Sequence, residues 1–156
     1  MARVLAVTLA LMRLTLFPIF ILMVGCTDTA PCANCPAVDG VYDVNWGQSD
    51  AGTRDDGGVC LVQGPMVTQW TLAQRTSNVT TTIANVNMGG TLYDTFDMVL
   101  TGSDTGLNYR LRALVIPGGT GADAGVKLQG TFTTRTLAAD DPCEVSDAFT
   151  AQRVSR

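Results

Sequence analysis

The sequence predicts an all-β domain, an antiparallel meander of about eight strands closing as a small barrel or a sandwich. Three observations predict it. From Gly40 onward, threonine- and valine-rich segments alternate apolar and polar residues with a period of two, the mark of strands with one buried face. Short clusters rich in glycine and aspartate separate these segments, which is the chemistry of tight turns. No stretch repeats apolar residues every three to four positions over a useful length, so helices are not expected.

Taken in order, the candidate strands cover residues 41–46, 59–63, 66–75, 79–87, 92–100, 107–116, 126–136 and 145–154. Alternation is clearest late in the chain. Leu107, Tyr109, Leu111, Ala113 and Val115 share one face, and Asn108, Arg110 and Arg112 the other. Val126, Leu128, Gly130 and Phe132 likewise oppose Lys127, Gln129, Thr131 and Thr133. Met88-Gly89-Gly90 and the stretch from Thr101 to Gly106 read as turns, so neighbouring strands should pair sequentially. Period alone does not choose between barrel and sandwich. A membrane-spanning barrel needs two aromatic girdles, and two Trp, three Tyr and five Phe are too few to build them.

Ahead of this domain lies an address. The apolar run from Leu14 to Val24 follows Arg13 and has eleven residues, short of the roughly twenty that span a bilayer. A basic start, a short apolar stretch and a small residue before a cut have the layout of an export signal. The end of the run, Leu22-Met23-Val24-Gly25-Cys26, resembles the lipobox of bacterial lipoproteins. That resemblance implies cleavage after Gly25 and acylation of Cys26 (palmitate-type chains). Several chains hold a protein stably where a single one holds it marginally. In these lipoproteins an aspartate directly after the cysteine favours inner-membrane retention; here Thr27 stands there, which implies sorting to the outer membrane. The domain would then sit in the periplasm or at the cell surface. The expected organisation is a signal peptide over 1–25, the lipidated cysteine and a flexible tether over 26–39, and the β domain over 40–156. Proline, alanine and the absence of any period mark the tether.

Setting Cys26 aside leaves Cys32, Cys35, Cys60 and Cys143, an even set that in an exported chain points to disulfides with three possible pairings. Cys32 and Cys35 are close enough to pair locally, which would leave Cys60 with Cys143. Cys32-Ala33-Asn34-Cys35 is not expected to act as a redox pair. Pro31 and Pro36 bracket it, and no helix follows to lower a thiol pKa. A zinc site would need a second cysteine pair or a histidine, and the chain has no histidine at all. The same absence removes Ser-His and Cys-His catalysis.

Asp104-Thr105-Gly106 matches the aspartic-protease triplet in letters, but it lies in a stretch that reads as a hairpin turn. Asp50, Asp55, Asp56, Asp140 and Asp141 have the same turn explanation, and none has EF-hand spacing. After the signal, eight basic residues face fourteen acidic ones, which disfavours nucleic acid or an anionic membrane surface as a partner. Asp39-Gly40-Val41-Tyr42 looks like the Gly-x-Trp opening of lipocalins, with Tyr42 in place of the tryptophan. This resemblance implies an eight-stranded barrel with an apolar ligand inside; otherwise Tyr42, Trp46 and Trp70 simply fill the core. The expected function is a non-enzymatic, lipid-anchored bacterial envelope lipoprotein. It would act by contact with an envelope protein or as a structural component, without metal or cofactor. The alternative is a small lipocalin-like carrier of an apolar ligand.

Overall fold

A computed structural model describes residues 30–50, 64, 66–118, 125–137 and 143–155. Eight strands form: β1 (Gly40–Asp50), β2 (Gln69–Arg75), β3 (Asn78–Ile83), β4 (Val86–Leu92), β5 (Asp97–Asp104), β6 (Leu107–Ile116), β7 (Lys127–Thr136) and β8 (Glu144–Ser155). Each pairs antiparallel with its neighbour, and β8 returns to β1, closing the meander into a barrel. Closure decides between the two predicted architectures and removes every free sheet edge.

The period-two pattern sets the radial order. Leu111, Ala113, Val115, Leu128 and Phe132 point inward and are buried, while Arg110, Arg112, Lys127, Gln129 and Thr131 face out. One core cluster takes inward side chains from all eight strands. An apolar interior with a polar wall is the reverse of a membrane-spanning barrel.

Several predicted boundaries shift: the strand expected over 66–75 begins only at Gln69, the one expected over 92–100 is interrupted by a turn at 93–96, and Thr101 to Asp104, expected in a turn, belong to β5. The strand expected over 79–87 is two strands, β3 and β4, joined by Ala84 and Asn85 at φ 49° and 71°. Two successive residues in the left-handed region make the tight hairpin turn whose twist suits antiparallel strands. Met88-Gly89-Gly90, expected as a turn, lies inside β4, and the chain turns instead over residues 93–96, with Phe96 at φ 62°. Gly90 serves a close approach, because a Cβ there would lie 2.9 Å from the Cα of Leu100 on β5. Thr105-Gly106 is the turn expected of it, and Thr105 Oγ1 donates to Asp104 Oδ1 at 2.7 Å. The candidate strand 59–63 lies outside the described residues, as do Cys26, Cys60, Asp55, Asp56, Asp140 and Asp141.

The stretch expected to be a flexible tether is, over residues 30–39, a strap across one end of the barrel. Pro31 bridges Tyr93, Cys32 N donates to Leu92 O at 3.0 Å, and Asp94 N donates to Ala30 O at 3.1 Å. Farther along, Val38 N donates to Gln74 Oε1 at 2.6 Å and the Tyr42 hydroxyl to Val38 O at 2.9 Å. Arg153 Nη1 donates to Ala37 O at 2.9 Å. Cys32 and Val38 thereby join the core. A segment without strand or helix period is held because its backbone groups find partners on β2, β4, β8 and the 93–96 turn.

Candidate functional site

The barrel has two different ends and a wall. At the end opposite the strap, Trp46, Trp70, Phe132 and Phe149 form an aromatic cluster, with ring centroids 4.7 Å apart for Trp70 and Phe149 and 5.7 Å for Trp46 and Trp70. Phe132 also meets Trp46 at 6.0 Å and Tyr109 at 5.9 Å. Edge-to-face pairs of this kind add about 0.5–1.5 kcal/mol each beyond burial. Trp46 Nε1 donates to Val67 O at 2.9 Å, but Trp70 Nε1 and Thr134 Oγ1 are buried without a hydrogen-bond partner. Gly64 is buried against Asp147 and Thr134, with room for no side chain. Burial raises the Tyr109 pKa above its ordinary value, and Asp104 adds to the shift.

On the wall, the outer faces of β2, β3 and β4 enclose an open groove of about 760 Å³, lined in part by Gln69, Thr71, Thr80, Thr82 and Asn87. Its lining carries hydroxyls and amides but no charge. Thr82 Oγ1 donates to Asn87 Oδ1 at 2.8 Å, and Gln69 Nε2 to Asp43 Oδ1 at 3.0 Å. Such a surface offers hydrogen bonds in both senses without a charge to desolvate.

The predicted cysteines separate. Cys32 and Cys35 are free thiols, so the local pair is not formed. Cys32 turns into the core, while the Cys35 thiol donates to Cys32 O at 3.1 Å. Burial pushes the Cys35 thiol up to about 11, and its neighbours Cys32 and Asp94 add to the rise, the reverse of an activated thiol. Cys143 is disulfide-bonded. Among the described residues no group of three or more metal-ligating side chains comes together. Of the aromatic residues singled out in sequence, Tyr42 and Trp70 fill the core and Trp46 is half-buried against it. Sequence reasoning missed the groove, because Ala84-Asn85 was not recognised as the turn that sets β3 beside β4.

These features define a closed, eight-stranded antiparallel barrel, strapped at one end, aromatic at the other and polar on its wall. The chain matches no known protein family, no curated protein and no solved structure.

Proposed function

We propose that the chain is a lipid-anchored bacterial envelope lipoprotein, attached to the outer membrane through acylated Cys26. It acts without catalysis, by contact with an envelope protein or as a structural component. The observation that carries this reading is the occupied interior: Tyr42, Trp70, Phe132, Phe149, Leu100 and Leu111 are almost wholly inaccessible, which moves recognition to the wall. The uncharged groove on β2, β3 and β4 is the candidate contact surface. With the Cys26 thiol taken up by lipid and Cys32 and Cys35 free, Cys60 is the cysteine left to pair with Cys143. Crosslinking in intact cells from a photoreactive residue at Thr71 or Thr80 tests the contact. A defined envelope protein captured from both positions supports it, and no adduct from either refutes it.

The carrier reading draws on Trp70 Nε1 and Thr134 Oγ1, two buried polar atoms without partners beside the aromatic cluster. Mass spectrometry of organic extracts of the purified protein tests it. A stoichiometric small molecule would favour a carrier over a contact protein.

A further inference from the structure

We propose that the strap end of the barrel is a lipid-contacting rim, seated in the headgroup region of the membrane with Phe96 and Ile116 as its anchors; this rests on the lipoprotein reading above. Six large apolar side chains are exposed among the described residues, and four of them, Phe96, Leu114, Ile116 and Val154, lie at or near this end. Backbone pairing places three of the four together: Asp97 is the register partner of Leu114, and Val115 N donates to Phe96 O at 2.8 Å. Phe96 closes its turn at φ 62°, a conformation that disfavours a bulky residue, and its side chain is exposed there. Phe and Leu side chains gathered on one face of a peripheral element bury at the headgroup–acyl boundary. Lys127, the register partner of Ile116, is exposed beside them and suits lipid phosphate.

Chain length points to lipid as the occupant. Ala30 is fixed by the hydrogen bond from Asp94, in the same turn as Phe96. Cys26 lies four positions before it, a reach of at most about 14 Å. The opposite end lies roughly 18 Å away, along the seven- and eight-residue strands β4 and β5 that flank this turn, tilted as in small barrels. An acylated Cys26 therefore does not reach a bilayer set against the far end, and the strap end is the end it brings to the membrane. Leu137 and Met66, the other two exposed apolar residues, lie on the far side.

The test uses the full lipidated protein in vesicles of phosphatidylethanolamine and phosphatidylglycerol, with and without brominated acyl chains. Phe96→Trp and Ile116→Trp report on the rim and Leu137→Trp on the far end, each read against the native tryptophans. Loss of the added emission in brominated vesicles is expected for F96W and I116W but not for L137W. Equal quenching at both ends, or none at either rim position, overturns the proposal. Shielding of the rim tryptophans in native membranes but not in pure lipid assigns the rim to a protein and also overturns it. Intact mass keeps the two readings apart: a chain without acyl mass sinks the lipoprotein reading, whereas an acylated chain with unquenched rim tryptophans sinks only the rim.

Discussion

Two glycines of the same barrel, Gly130 on β7 and Gly89 on β4, are expected to respond to alanine with opposite signs. Gly130 points inward on β7, and a Cβ there would lie 2.7 Å from the Cα of Ala113 and against Arg112 O, both backbone atoms of β6. Carbon atoms settle at about 3.5–4.0 Å, so Gly130→Ala must push β6 and β7 apart by about 1 Å across a ladder spaced near 4.8 Å. Overpacking of this kind costs about 1–3 kcal/mol, while removing a glycine from the unfolded chain returns at most about 1 kcal/mol. A net loss of about 1–2 kcal/mol follows, or roughly 4–8 °C in Tm at about 4 °C per kcal/mol. Gly89 faces the groove, and its Cβ would meet only Thr80 Cγ2 at 3.7 Å, an ordinary contact. Gly89→Ala should therefore leave stability unchanged or raise it by up to about 1 kcal/mol. Urea and thermal unfolding of both variants, followed by tryptophan fluorescence, provides the check. A G130A protein as stable as the parent would refute the close approach of β6 and β7, and so would a G89A protein equally destabilised.

Phe132→Ala should cost about 3–5 kcal/mol, because the ring is fully buried between Trp46 and Tyr109, and it should flatten the near-UV circular dichroism of the aromatic cluster. Tyr42→Phe removes the donor to buried Val38 O and should cost about 1–2 kcal/mol; hydrogen exchange should quicken at Val38 while the β6–β7 ladder stays protected. Alkylation of Cys35, followed by mass spectrometry across pH, should rise only toward its raised pKa of about 11, with Cys32 also recovered as a thiol. The folded state holds that proton more tightly than the unfolded chain, whose thiol titrates at 9.0, so the contribution to stability is full below pH 9 and is lost as pH rises toward about 11. A fully oxidised Cys32–Cys35 pair would contradict the free thiols.

The wall of the barrel was legible in sequence wherever a strand kept strict alternation over its length, as β6 does with the bounds read from residues 107–116. Errors gathered where the inward face changes parity. Val79, Thr81 and Ile83 point inward on odd numbers, then Val86, Met88 and Leu92 on even ones, and that switch marks a two-residue turn even without a glycine. Asn85 was the remaining cue, since asparagine tolerates the left-handed region better than most residues. The glycine pair at 89 and 90 misled because glycine also permits close strand approach, which only the three-dimensional register reveals. The strap was illegible for another reason. Its attachment rests on backbone groups meeting Gln74, Leu92 and Arg153, and no local pattern encodes partners so far along the chain.

The seam between the first and last strands makes closure of the barrel wait for β8. β1 finds its second neighbour only in β8, through pairs such as Val44 with Ala151, and Arg153 clasps Ala37 from 116 positions away. Until that final strand is delivered, the nascent sheet exposes two unsatisfied edges and an open apolar trough. Contacts so distant along the chain slow the search for the native state, and unpaired edges invite association with other chains. A barrel of this design zips shut in one late step. Loss of the last strand through early termination would thus leave an adhesive half-cylinder in place of a slightly shorter barrel.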